Sequence, residues 1–268
     1  MSTVVWFRSD LRADDNSALA EAARDGGRVA GLFLLTPAQW GAHDWGARKQ
    51  LFVWRHVLAL RERLAALGIP LWVRLVPDFA GAPAAVAEFA RAQAATAVYA
   101  NAEYAVNEVA RDRLVAEALR AQGTAWCRLH DFTVLAPGTV RTQQGAPFKV
   151  FSPFRRAWLA QVRGEPVDCV AAPAARAAVE PPPLPDWEPP VATLDPDWWP
   201  IGEVAARARL ADFGILTIGQ LAQAPAGLLQ REFGRYGEEL ALRARGIDDS
   251  PVVTEHDVKS VSQEVTFD

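Results

Sequence analysis

From residue 3 to residue 129 the chain alternates short apolar runs with longer segments whose apolar residues recur at helical spacing. This alternation restricts the fold more than anything else in the sequence. The runs at 3–7, 28–35, 71–75, 96–101 and 124–129 are rich in β-branched and aromatic residues and read as strands. The second of them, RVAGLFLL, is apolar almost throughout, as a strand covered on both faces should be. Between the runs, residues 17–24, 47–67, 83–93 and 108–122 read as helices. The longest carries Leu51, Trp54, Val57, Leu58, Leu60 and Leu64 on one face and stops at Gly68 and Pro70. Short connections between parallel strands and helices require right-handed crossovers with helices on both faces of the sheet. The predicted fold class is therefore α/β, a doubly wound five-stranded parallel sheet. Ligands of such sheets sit beyond the carboxyl ends of the strands, which makes the strand-to-helix turn at 98–113 the first place to look for a site.

Several functions are excluded or disfavoured at once. Neither GxGxxG nor GxxxxGK[ST] occurs in the alternating region, which argues against an ordinary dehydrogenase or P-loop NTPase. With 28 Lys and Arg against 32 Asp and Glu, the net charge of -4 is not that of a nucleic-acid-binding polyelectrolyte, so any such contact must come from a local face. Cys127 and Cys169 are too few and too far apart for a disulfide framework, and His43, His56, His130 and His256 form no paired metal motif. No apolar run approaches the ~20 residues of a membrane helix. Met1-Ser2-Thr3 leads straight into the first strand, so neither a leader nor a membrane partner is expected, and the expected location is cytoplasmic. The oligomeric state is not legible.

Beyond residue 171 the pattern lapses. Residues 172–200 are dense in proline, including Pro181-Pro182-Pro183 and Pro189-Pro190, and read as an extended connector. Helical patterning resumes at Gly202. The run helix, Gly214-Ile215-Leu216-Thr217-Ile218-Gly219, helix has the form of a helix-hairpin-helix, whose backbone amides at Gly214, Ile215, Thr217 and Gly219 can take a DNA phosphate. The expected organisation is an α/β domain at 1–135, an interdomain linker at 136–200 and a small all-α segment at 201–268.

Two stretches of the α/β region combine polar residues closely enough to suggest chemistry. The loop Trp6-Phe7-Arg8-Ser9-Asp10-Leu11-Arg12-Ala13-Asp14-Asp15-Asn16 reads as a strand-to-helix turn with locally paired charges and an N-cap at its end. In the second stretch Asn107 reads as the N-cap of the fourth long helix, a role contributing about 1 kcal/mol. Glu108 sits in its first turn, where a negative charge is favoured.

The first loop matches W-F-R-x-D-L-R-x-x-D-N, and in this it resembles the opening of DNA photolyases and cryptochromes. Thr36-Pro37-Ala38-Gln39-Trp40, Gly68-Ile69-Pro70-Leu71, the run from Asn101 to Asp112, and Lys149-Val150-Phe151-Ser152-Pro153-Phe154 with Trp158 follow in the family's order. The resemblance is to class I cyclobutane pyrimidine dimer photolyases and covers about residues 3–212. It implies the photolyase N-terminal fold and methenyltetrahydrofolate as antenna, held by Asn107 and Glu108 in a cleft between this domain and a later one, and so bound only weakly by this chain. A carboxylate accepts two adjacent pterin N–H bonds, and an amide both donates and accepts. It also implies FAD and damaged DNA as cofactor and partner of a later domain. After Phe213, however, the family's T-S-R-L-S flavin-phosphate segment has no counterpart. Residues 201–268, with Phe233-Gly234-Arg235-Tyr236-Gly237 and Arg243-Ala244-Arg245-Gly246-Ile247-Asp248-Asp249, resemble instead the thumb of a Y-family DNA polymerase of the polymerase IV type, which implies that two families meet in one chain, by gene fusion, by a frame or assembly error, or as a deliberate chimera.

The expected function is the light-harvesting antenna part of a deoxyribodipyrimidine photolyase in DNA repair, truncated before its flavin domain and without catalytic residues of its own. Whether such a chain is itself an enzyme stays open. The alternatives are a non-enzymatic DNA-binding module, with weak duplex contact by residues 201–250, and a flavin-free signalling fragment of cryptochrome type.

Overall fold

The computed structural model describes residues 1–164, 169–196, 199–212, 218–233, 237 and 242. It divides into two compact units, Met1–Val134 with Asp168–Glu203 and Leu135–Val167 with Val204–Asp268.

The first unit is built on five parallel strands: β1 (Ser2–Phe7), β2 (Arg28–Leu35), β3 (Leu71–Leu75), β4 (Ala97–Asn101) and β5 (Ala125–Leu129). Their order across the sheet is β3-β2-β1-β4-β5. The chain therefore winds outward on one side of β1, returns, and winds outward on the other, so the switch point lies between β1 and β4, which pair from Thr3 with Ala97 to Val5 with Tyr99. The helices between the strands are α1 (Ser17–Ala23), α2 (Pro37–Ala42), α3 (Ala47–Ala66), α4 (Ala82–Ala92) and α5 (Val106–Ala121).

The period of two along a strand decides what each face holds. Val5 and Phe7 of β1, with Phe33 and Leu35 of β2, join Leu19 of α1 and Val57, Leu60 and Leu64 of α3 in one buried layer. Val4, Trp6, Leu32 and Leu34 point the other way, into a layer with Val86 and Phe89 of α4 and Val115 and Leu119 of α5. The central strands are covered on both faces, which is why β2 reads as a continuous apolar run. Trp6 and Trp54 are buried, while Trp72 and Trp126 are only partly covered.

Residues 169–196 and 199–203 return to this unit as an extended strap. The Arg176 and Val179 N–H groups donate to the carbonyls of Leu67 and Ala65 (3.3 and 3.0 Å). The strap also places Leu194 in the core and packs Ala172 and Trp187 against the α1/α3 layer.

The second unit contains α6 (Phe151–Gly164), α7 (Glu203–Asp212, whose first residue closes the first unit), α8 (Ile218–Gln223) and α9 (Ala226–Phe233). Helix α6 falls inside the stretch expected as linker. Its phenylalanines pack on their neighbours, Phe154 against Phe148 at 6.1 Å and against Phe151 at 6.4 Å. Ala224 and Leu229 form a small buried cluster with Leu221.

Candidate functional site

At the carboxyl ends of β1 and β4 the chain buries charge. Arg8, the first residue after β1, is 8% exposed, and Arg111 and Asp112, one turn into α5, are each 5% exposed. The Asp112 carboxylate accepts two bonds from Arg8 Nη1 (3.0 and 3.2 Å) and two from Arg111 (2.7 and 3.0 Å). Glu103 accepts from Arg111 Nη2 at 2.7 Å and from the Ser9 hydroxyl. Both guanidinium groups lie 4.7 Å from the Trp6 ring centre, and Arg111 also lies 4.6 Å from that of Phe79. Buried charge is tolerated only when paired and hydrogen-bonded, and here each carboxylate meets a planar donor.

A second set of polar contacts fixes the loop after β1. Asp10 accepts from the Arg8 N–H (2.8 Å), Asn101 Nδ2 (2.8 Å) and Asn16 Nδ2 (3.3 Å). Asn16 caps α1 by accepting from the Leu19 N–H (3.0 Å), and Asn101 accepts from the Ala18 N–H (2.9 Å). Arg12 pairs with Asp131, which also accepts from the Ser17 N–H at 3.0 Å and hydroxyl at 2.8 Å. The expected N-cap is thus in place, but the charges do not pair locally. Arg8 reaches a partner on α5 and Arg12 one beyond β5. A helix of this kind could have announced its part: Arg111, Val115 and Leu119 share one face at i, i+4 and i+8 spacing, with Asp112 three residues before Val115 on the same side, and that face is buried.

Beside the network lies a cavity of about 280 Å³. Its walls include the aromatic rings of Trp6, Phe33, Trp40 and Phe79, and its polar border includes Arg8, Glu103, Glu108 and Arg111. It lies beyond the carboxyl ends of β1 and β2, with Glu103, Glu108 and Arg111 from beyond β4 on its border, at the edge of the sheet where doubly wound folds hold ligands. Burial alone would raise the pKa of Glu103, but Arg8 and Arg111, helped by the Ser9 hydrogen bond, outweigh it and hold the carboxyl below its ordinary value. A carboxylate kept ionised this way is a poor proton donor near neutral pH. Apolar walls with a charged, prearranged border suit the binding of a flat, partly polar molecule better than acid–base chemistry.

Both sequence-predicted antenna residues are on α5. Glu108 is half-buried in the first turn and lines the cavity, while Asn107 is exposed next to it. Asn107 is not the N-cap: the helix begins at Val106, Ala105 occupies the cap position, and no side chain caps it. The burial of Arg111 and Asp112 sets the phase of this helix, and it carries Asn107 inside the first turn. Among the described residues neither the Asn107 amide nor the Glu108 carboxylate has a hydrogen-bond or ion-pair partner. Gly214, Ile215 and Thr217 lie outside the described residues, and Gly219 falls within α8.

A family model described as DNA photolyase matches residues 3–176. The deoxyribodipyrimidine photo-lyase of Vibrio cholerae is 41% identical over 156 residues, covering 58% of this chain and 33% of that protein. The deoxyribodipyrimidine photo-lyase of Escherichia coli is 38% identical over 214 residues, covering 78% of this chain and 45% of that protein. The chain thus spans less than half the length of either relative. Among solved structures, a bacterial class III photolyase from Agrobacterium tumefaciens superposes with a TM-score of 0.64 at 21% identity, over 91% of this chain and 56% of that one, which is a likeness of fold.

Proposed function

This chain belongs to the DNA photolyase family, and we propose that its sheet unit is the chromophore-binding antenna part of a deoxyribodipyrimidine photolyase serving DNA repair. The chromophore in this reading is methenyltetrahydrofolate. One observation carries it: Glu108, half-buried and without a partner among the described residues, stands on the border of an aromatic-walled cavity. The donor set fits a pterin. A free carboxylate can accept two adjacent N–H groups, and Asn107 beside it offers both a donor and an acceptor. Trp40 and Phe79 supply apolar walls for a ring system. When bound, a folate of this class supplies absorption of blue and near-ultraviolet light for transfer to a flavin. The chain's own residues bind it, orient its polar edge at Glu108 and exclude water behind it.

No residue is assigned to a flavin, and dimer repair is proposed only at the level of the family, because the chain spans less than half the length of the two photo-lyases described above. The reading rests on the sheet unit alone.

The test is titration of the purified chain with methenyltetrahydrofolate, followed by its visible absorbance. The wild-type chain binds. Glu108→Ala weakens binding at least about tenfold, since a hydrogen bond to a charged group contributes about 1.5–3 kcal/mol and 1.4 kcal/mol is tenfold. Glu108→Gln retains part of the affinity. Equal affinity in wild type and Glu108→Ala would show the assignment to be wrong.

A further inference from the structure

One wall of the cavity depends on a residue far from it in sequence that does not line it. Trp40 belongs to α2, a helix of 6 residues. So short a helix is not stable by itself, and the place of its side chains is set by what they pack on. Trp40 is stacked on Trp45 with ring centres 5.1 Å apart and planes at 12°. Trp187 of the strap meets it edge-on at 6.1 Å and 78°. Trp187 in turn packs edge-on against Trp54 of α3 at 5.3 Å and 76°. It is therefore a wedge between a long helix with a buried face and a short one that needs support.

The strap fixes this wedge from both sides. Before it, Val170 exchanges hydrogen bonds with Asp15, accepting from its N–H at 2.7 Å and donating to its carboxylate at 3.1 Å. The Val179 N–H donates to Ala65 (3.0 Å), and Arg61 donates to the Pro182 carbonyl. After it, Trp199 packs on Phe52 at 5.4 Å, and the Glu203 carboxylate accepts from the N–H groups of Ala13 (2.8 Å) and Asp14 (3.0 Å). Proline on both sides of Trp187, at 185 and at 189–190, limits the conformations the segment can explore.

We propose that Trp187 is a positioning residue for the cavity: through Trp40 it sets the shape of the wall, and so the affinity for the chromophore, without touching the ligand. The part concerning affinity rests on the functional reading above; the part concerning Trp40 does not.

The experiment compares Trp187→Ala, Trp187→Phe and, as a control elsewhere on the strap, Trp199→Ala. Two quantities are measured on the full chain: backbone amide exchange in the peptide spanning residues 37–45, and affinity for methenyltetrahydrofolate. In Trp187→Ala, exchange at 37–45 accelerates about tenfold and folate binding weakens by a similar factor, the change that 1.4 kcal/mol produces. Trp187→Phe stays near wild type in both. Trp199→Ala changes neither, although it loosens the strap. Unaltered exchange in Trp187→Ala, or equal acceleration in Trp199→Ala, overturns the proposal. If the wild-type chain binds no folate, the functional reading fails, and the exchange comparison still decides whether Trp187 holds Trp40.

Discussion

At the scale of single residues, the contrast between two neighbours on α5 is instructive. Asp112 is 5% exposed and is shared by two guanidinium groups, whereas Arg113 is 81% exposed and pairs with Glu117 one turn on. Removing one partner from a buried charge network leaves the others unpaired in a medium that cannot solvate them, which costs about 3–5 kcal/mol. An exposed i, i+4 pair contributes only about 0.3–0.5 kcal/mol. Asp112→Asn is therefore expected to lower the free energy of unfolding by several kcal/mol, and Arg113→Ala by less than about 0.5 kcal/mol. Urea denaturation of the two variants measures both, and similar values for the pair would contradict the role given to Asp112. The network was only half legible in the sequence. Its members were all visible in two motifs, and the cap at Asn16 followed from local rules. That Arg8 would meet Asp112, more than a hundred residues away, follows from the order of the strands, which no local pattern contains.

At the scale of elements, the strap and helix α3 meet at Gly68. Its φ of +79° is in the region that glycine enters without a penalty, and a Cβ there would stand 2.7 Å from the Ala177 carbonyl oxygen. Gly68→Ala thus strains the backbone and pushes the strap outward at once. The expected loss is roughly 1–3 kcal/mol, seen as a lower thermal midpoint together with faster tryptic cleavage at Arg176. A variant as stable and as resistant as wild type would show that the strap does not need this close approach. The five strands were readable to within a residue because alternating and continuous apolar runs are a direct record of two-sided burial. Helix α2 was not readable, since six residues carry too little periodicity and its anchor, Trp40, packs on the distant Trp187 as well as on its neighbour Trp45. The strap was recognised as extended from its prolines. What it covers was hidden, because Trp187, Leu194 and Ala172 are too far apart to form a pattern.

At the scale of the whole molecule, stability should fall toward acid in two stages. Burial lowers the pKa of His56. As pH drops below the ordinary histidine value, the unfolded chain takes up a proton that the folded chain refuses. Stability decreases until the lowered folded value is reached. Glu103 acts further down: its folded pKa is depressed by Arg8 and Arg111 against the opposing effect of burial. The stability it contributes is complete above the ordinary glutamate value and is lost as pH falls through the folded one. His56→Gln should flatten the upper stage and leave the lower one in place, as measured by urea unfolding across mildly acidic pH. An unchanged slope in the histidine window would remove His56 from this account.

The strap also bears on how the protein is made. The sheet unit is discontinuous, since the chain leaves it after Val134 and comes back at Asp168. Trp187, which packs against one side of its core, and the buried Leu194 therefore emerge from the ribosome after the whole excursion through α6. Until Trp187 has been synthesised and has docked, Trp40 and Trp54 lack its cover, and the Glu203 bonds to the amides of Ala13 and Asp14 come later still. The last contacts to form join the ends of a long loop, whose closure entropy slows the step. A nascent chain halted before residue 187 would carry an apolar face that a trigger-type chaperone can bind, and one released after residue 203 would not.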